Sequence, residues 1–284
     1  MTELASRRVG FLGGGAMAEA LCGGLLAAGV PASQLRAADP DAERRRVLSE
    51  RLRIGVTPSN AEVLAHSDVL VIAVKPGLVG GVLAALRAEP GASERLWISI
   101  AAGVRLASLA AALPDGARIV RAMPNTPALV RCGATAICGN ERCSAGDLGV
   151  ARALFESVGT CWQTSDEALL DAVTGLSGSG PAYVFVFLEA LADAGVRVGL
   201  PRDAAAQLAC QTVLGAARLA EVTGRHPAAL KDQVASPGGT TIAGLERLEA
   251  GGLRAALYEA VEAATRRSRE LAGTPQTSSQ KTGS

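Results

Sequence analysis

Residues 9–26 carry, in order, a short apolar run (Val9–Leu12), the turn Gly13-Gly14-Gly15-Ala16-Met17-Ala18 and an Ala/Leu-rich stretch. That order specifies a strand, a tight turn and a helix, and the turn fits Gly-x-Gly-x-x-Ala. Gly13 takes the turn, Gly15 leaves room for a pyrophosphate against the backbone, and Ala18 lets the helix lie close on the strand. A phosphate there meets unpaired N–H groups at the positive end of the helix dipole. A dinucleotide is therefore expected across Gly13, Gly14, Gly15, Ala16, Met17 and Ala18. Asp39 is expected to end the second strand, where a carboxylate accepts from a ribose 2′-hydroxyl and repels a 2′-phosphate, favouring NAD(H). Arg44, Arg45 and Arg46 follow within two helical turns, and one of them could swing toward a phosphate, although such a run also makes an ordinary solvated face. NAD and NADP both stay open at this stage.

Beyond the turn, β-branched runs alternate with helical stretches. Arg8–Leu12, Leu35–Ala38, Val69–Val74, Leu96–Ile100 and Ile119–Met123 read as strands. Ala16–Ala28, Asp41–Arg53, Asn60–Ala65, Leu78–Ala88 and Leu106–Leu113 read as the helices between them. Two more strands, Ala134–Cys138 and Cys161–Thr164, flank a helix over Ala145–Ser157. Such alternation argues for a parallel sheet covered by helices on both faces. Ala73-Val74-Lys75-Pro76 closes the Val69–Val74 strand, at the edge where open α/β sheets bind ligands. The backbone there is expected to line a nicotinamide ribose. Lys75 stands out because the chain otherwise has only Lys231 and Lys281.

After about Asp166 the pattern becomes helical: Pro181–Val196, Pro201–Glu221, Pro227–Val234, Thr241–Ala250 and Leu253–Leu271, several opened by proline. The division expected is a dinucleotide domain over 1–165, a helical substrate and dimerisation domain over 166–272, and a disordered tail over 273–284. Tyr183–Leu188 is apolar all round its helix, so it needs burial on every side. An intersubunit core is the preferred cover, with a central place in a compact bundle as the alternative.

With 28 Lys and Arg against 27 Asp and Glu, the net charge is +1. That balance gives no field to hold a nucleic-acid backbone or an anionic membrane, so neither partner is expected. No run of 18 or more apolar residues marks a spanning segment. The six cysteines form no Cys-x-x-Cys pair, and the opening MTELASRRVGFLGGG holds no apolar stretch of signal-peptide length. Reduced thiols and a cytoplasmic location are the expectation. His66 and His226 lack ligand spacing, so no metal is expected. His66 falls in a helix before a strand, and His226 should cap the helix that begins at Pro227.

Two later glycine turns resemble the first in their physics. Ser177-Gly178-Ser179-Gly180-Pro181 combines capping hydroxyls, close-approach glycines and a helix-opening proline. Ser236-Pro237-Gly238-Gly239-Thr240-Thr241 repeats the idea. Each alone is also ordinary capping, but the pair opposite a dinucleotide fold suggests a cradle for a substrate carboxylate. No Ser–His–Asp arrangement is present. Nor does a Lys-x-x-Asn follow Gly180, as alcohol oxidation by a 3-hydroxyacid dehydrogenase would need. A reductase without an evident proton donor suits a substrate that is already electrophilic, such as a protonated cyclic imine. Another reductase of similar build and a nucleotide-binding protein without turnover are the alternatives.

At these residues the chain resembles the pyrroline-5-carboxylate reductases. The resemblance runs from about Val9 to Leu271 and rests on FLGGGAMA (Phe11–Ala18), AVKP (Ala73–Pro76), MPNTP (Met123–Pro127), DAVTGLSGSGPAY (Asp171–Tyr183), LKD (Leu230–Asp232) and SPGG (Ser236–Gly239). It implies an N-terminal Rossmann-type doubly wound parallel sheet and a C-terminal all-helical domain that interleaves with a second subunit. Dimers, often built into decamers, are implied, with the site between nicotinamide and the neighbouring subunit's helices. The implied reaction is NAD(P)H-dependent reduction of 1-pyrroline-5-carboxylate to L-proline, the last step of proline biosynthesis. By similarity, Ser177–Pro181 holds the substrate carboxylate, Thr241 approaches the ring nitrogen beside Thr240, and Glu167 is an acidic group near the substrate. Asn60 would contact the cofactor near the adenosine ribose, and Ala101, Ala102 and Gly103 would lie on the nicotinamide side. Gln233 stands where some members have a cofactor-contacting Asn, and Thr240 where many have Ala.

Overall fold

The computed structural model describes residue 4 and residues 6–273. In chain order the elements are β1 (Val9–Leu12), α1 (Ala16–Ala27), β2 (Leu35–Ala38), α2 (Ala42–Leu52), β3 (Gly55–Thr57), α3 (Asn60–His66), β4 (Val69–Ile72), α4 (Val79–Leu86), β5 (Leu96–Ser99), α5 (Leu106–Ala112), β6 (Arg118–Met123), β7 (Gly133–Gly139), α6 (Ala145–Glu156) and β8 (Gly159–Gln163). Then come α7 (Leu169–Val173), α8 (Gly180–Arg197), α9 (Arg202–Thr223), α10 (Pro227–Val234), α11 (Thr240–Ala250) and α12 (Leu253–Gly273). Of the tail expected over 273–284, Gly273 is the last residue of α12 and the rest lies outside the described residues.

The strands form one sheet in the order β3-β2-β1-β4-β5-β6-β7-β8. Neighbours run parallel except β6 and β7. Side chains alternate between two apolar layers, which is why these strands read as continuous apolar runs. Val9, Phe11, Val69, Val71, Leu96 and Ile98 join one layer with Leu21 and Leu25 of α1. Leu12, Leu70, Ile72 and Trp97 join the other with Leu83 of α4 and Leu109 of α5. Each fully buried side chain of this size contributes about 1.5–3 kcal/mol. The sheet is therefore a rigid platform on which its carboxyl edge is displayed.

By internal contact the chain forms two units, one running through Ser179 and resuming at Ala263, the other spanning Gly180–Glu262. The second unit buries little more than alanines (Ala192, Ala205 and Ala209), while Phe185 and Val186 are 65% and 66% exposed. Thiols follow the first unit's packing: burial raises the Cys22 thiol and pushes Cys161 up to about 11.

Candidate functional site

β1 lies between β2 and β4, with Leu12 in register with Ala38 on one side and Ile72 on the other. Chain order reverses here, so the crevice outside these strand ends is the natural ligand site. The next residues are Gly13, Asp39 and Ala73, and Ala101–Gly103 follow β5 at the same edge. Gly13 N–H donates to the Ala38 carbonyl at 2.8 Å, and Ala73 N–H to the Leu12 carbonyl at 2.8 Å. Gly13 is required by backbone: its φ is +100°, and a Cβ there would come within 2.7 Å of the Ala73 carbonyl oxygen.

Gly15 is different. Its φ and ψ (−63° and 179°) suit any residue, and a Cβ there would meet no atom within 4 Å. It is the N-cap of α1, yet no side chain caps that helix start. Open space in front of uncapped N–H groups fits an anion brought against the backbone, so the residues present fit the pyrophosphate of a dinucleotide. Gly15 and Ala16 are exposed at the mouth, Met17 is half-buried, and Ala18 is buried beneath.

Asp39 follows β2 at the rim of this crevice. Its Oδ2 accepts from Gly14 N–H and its Oδ1 from Asp41 N–H, both at 2.9 Å. Asn60 opens α3, whose N-cap Ser59 accepts from Glu62 N–H. On the other side of β1, Lys75 is exposed and precedes a 3-10 turn at Pro76–Leu78. Val74 and Gly103 are half-buried and Ala102 is exposed. The sequence-derived residues of the nucleotide half thus gather along one edge.

The expected glycine loop at Ser177–Pro181 is corrected by the structure. Thr174–Gly178 is a π-helical turn, leading from α7 into α8 within one helical run, Leu169–Arg197. That run is long and apolar enough to pass for a membrane span by composition, although no such run was visible to a strict count of apolar residues. Ser179 N–H is taken by the Thr174 carbonyl at 2.8 Å and Ser177 Oγ by the Val173 carbonyl at 3.2 Å. Pro181 has no N–H. Of the donors expected there, Ser179 N–H and Ser177 Oγ are thus already engaged.

Asn125 explains how the turn is held. Pro181 cannot donate to the Ser177 carbonyl four residues back, as a regular helix would require. Asn125 Nδ2 donates to that carbonyl at 3.0 Å, while its Oδ1 accepts from Ala134 N–H at 2.8 Å. The second bond fixes which way the amide faces. Met123, from the same MPNTP segment, packs where a Cβ on Gly178 would sit, at 2.7 Å. Sequence reasoning singled out this segment without finding its task, because its partner lies 52 residues away. Single π-turns in helices recur at functional sites.

Glu167 is held as well. Its Oε1 accepts from Arg121 at 2.9 Å and from Leu106 N–H, the first residue of α5, at 2.7 Å. Arg121 is 3% exposed and also faces the buried Asp171 carboxylate at 3.9 Å. Asp171 in turn accepts from Ser268 Oγ at 2.7 Å. Two carboxylates on one buried guanidinium form a compensated cluster, in which Glu167 anchors β6, α5 and the segment before α7.

In the second unit, Gly238 has φ +65° and Gly239 N–H donates to the Ser236 carbonyl at 3.0 Å. Gly239 is the N-cap of α11, again with no side-chain cap, and Thr240 and Thr241 are its first two residues. Gln233 is exposed near the end of α10. His226 caps α10 as expected, Nδ1 accepting from Ala228 N–H at 3.2 Å.

Comparison with known proteins bears on this arrangement. Residues 167–271 match the family model described as pyrroline-5-carboxylate reductase dimerisation, and residues 8–103 match NADP oxidoreductase coenzyme F420-dependent. The pyrroline-5-carboxylate reductase of Synechocystis sp. is 49% identical over 94% of this chain and 98% of its own. That of Pseudomonas aeruginosa is 46% identical over 95% and 98%. A pyrroline-5-carboxylate reductase structure from Coxiella burnetii superposes with a TM-score of 0.91 at 36% identity, covering 95% of this chain and all of that one. The Plasmodium falciparum pyrroline carboxylate reductase structure with NADP bound gives 0.84 at 33%, over 95% and 99%. On this identity and coverage, the chain belongs to the pyrroline-5-carboxylate reductase family.

Proposed function

We propose that this protein reduces 1-pyrroline-5-carboxylate to L-proline, the last step of proline biosynthesis, acting in the cytoplasm as a self-associating enzyme. The observation that carries the reading is the open, uncapped start of α1 at Gly15, at the switch point of the sheet in a chain of this family. When bound, NAD(P)H supplies the hydride that goes to C5 of the imine. Gly13–Ala18 hold its pyrophosphate, Asp39 and Asn60 its adenosine ribose, Ala73–Pro76 and Ala101–Gly103 its nicotinamide end, with Gln233 adding a contact across the subunit boundary.

The substrate carboxylate is best served by the start of α11, whose N–H groups no side chain caps. Ser177, Gly178, Ser179, Gly180 and Pro181 enter the proposal as a wall of small residues rather than as the anion donor. Thr241 hydrogen-bonds the ring nitrogen, and Thr240 lies beside it. Glu167, already tied to Arg121, acts by holding its segment in position. The imine is electrophilic once protonated, so orientation supplies most of the rate.

Self-association is supported by apolar side chains of the helical unit. Phe185, Val186, Leu208, Leu214 and Leu257 are all exposed, and apolar patches of that kind mark interaction sites. Dimers formed on these faces are the unit from which the proposed decamer would be built. The test is the fall in absorbance at 340 nm on adding 1-pyrroline-5-carboxylate to enzyme and NADH or NADPH, with proline identified as product. No turnover of this imine, with turnover of a 3-hydroxy acid and oxidised nucleotide instead, would remove the proposal.

A further inference from the structure

We infer that Asp39 makes this chain select NADH over NADPH, an inference that rests on the dinucleotide reading of Gly13–Ala18. The two cofactors differ by one dianionic phosphate on the adenosine 2′-oxygen. Selection therefore depends on the charges and free donors around the end of β2.

At that corner the ground for an anion is already taken. The Asp39 carboxylate itself accepts the N–H groups of Gly14 and Asp41. The start of α2 would otherwise attract a phosphate through its dipole. Asp41 occupies it instead, accepting from Glu43 N–H at 2.9 Å. A 2′-phosphate would meet carboxylate where it needs N–H.

The arginines do not reverse this. Arg44 donates to the Gly14 carbonyl and to Glu19, the latter at 2.6 Å. Arg51 binds the other Glu19 oxygen at 3.0 Å, so Glu19 fixes Arg44 from the far side. Arg45 donates to the carbonyls of Asp39 and Pro40, at 2.7 and 2.8 Å. Arg46 forks between Glu43 and Glu50. Each of the three is thus engaged elsewhere, Arg44 and Arg45 on main-chain carbonyls and Arg44 and Arg46 on carboxylates. These bonds weigh against the alternative that the run Arg44-Arg45-Arg46 left open in sequence. A ribose 2′-hydroxyl, by contrast, has a carboxylate at hand to accept its proton.

Isothermal titration calorimetry of the intact protein with NADH and with NADPH tests the inference without turnover. NADH is expected to bind about 10- to 100-fold more tightly, the effect of setting like charges against each other. Asp39→Asn, which removes the charge and gives up one of the two N–H bonds, should bring the ratio to about threefold or less by raising NADPH affinity. Asp39→Ser is the second variant, and the wild-type ratio stands as evidence even where a variant folds poorly. Equal or tighter NADPH binding by the wild type overturns the inference, as does an unmoved ratio in both folded variants. Binding of neither nucleotide overturns the dinucleotide reading beneath it.

Discussion

Replacing Gly15 and Gly13 in turn by valine separates a glycine kept for a ligand from one kept for the backbone. At Gly15 the backbone already lies in the extended region that valine favours, and the added carbon meets nothing within 4 Å. The cost to stability is the poorer N-cap, at most about 1 kcal/mol, or a fall in Tm of no more than about 4 °C for a domain of this size. Dinucleotide affinity, however, should collapse. Two N–H bonds to a charged phosphate, at about 1.5–3 kcal/mol each, become unreachable, a loss of at least about 100-fold. Gly13→Val should do the reverse: at φ +100°, with the Ala73 carbonyl oxygen 2.7 Å away, the chain itself must move. Its left-handed strain alone is about 1–2 kcal/mol before the overlap. Calorimetric titration with NADH, paired with melting followed by circular dichroism, reads both effects. Retained nucleotide binding in a folded Gly15→Val protein would refute the phosphate reading of the turn.

Other expectations concern residues the structure brought forward. Asn125→Leu leaves the Ser177 carbonyl and Ala134 N–H without this partner and should cost about 2–4 kcal/mol in urea denaturation; a loss under about 0.5 kcal/mol would mean the π-turn does not depend on it. Arg121→Ala strands the buried Asp171 carboxylate and should destabilise by about 3–5 kcal/mol by the same measurement. Thr241→Val should lower kcat/KM by about 10- to 100-fold, as for one hydrogen bond made in the transition state, and unchanged kinetics would remove Thr241 from the reaction. Burial works to raise the Asp147 carboxyl, but its bonds with Ser144 and Arg118 outweigh burial and hold it below the ordinary range. Its contribution is therefore complete above about pH 4 and is lost as the pH falls through the lowered folded value. Asp147→Asn should flatten that part of a Tm-against-pH curve; an unaltered acid limb would show that another carboxylate governs it.

Much of the sheet was legible because its strands are buried on both faces, so Val69–Ile72 and Leu96–Ser99 announce themselves as apolar runs. β3 escaped notice because three residues, Gly55–Thr57, are too few to show a period. The strand–turn–helix geometry at Gly13–Ala18 was readable for a local reason: its turn, its helix start and its strand lie within ten residues of one another. The segment after α7 was not. Ser177-Gly178-Ser179-Gly180-Pro181 has the composition of a loop, and its helical form depends on an amide from Asn125 far away in the chain. The engagement of Glu167 by Arg121 and of Arg44 by Glu19 was hidden for the same reason. Residue type suggested chemistry at each of these positions, while the long-range partner decided what remained available for it.

The most direct test follows the hydride itself. Enzyme is supplied with 1-pyrroline-5-carboxylate and NADH deuterated at both C4 positions, and the proline formed is examined by NMR. One deuterium is expected at C5 of proline in every turnover. Proline formed without that label, or no proline at all from a protein that binds the nucleotide, would contradict that expectation.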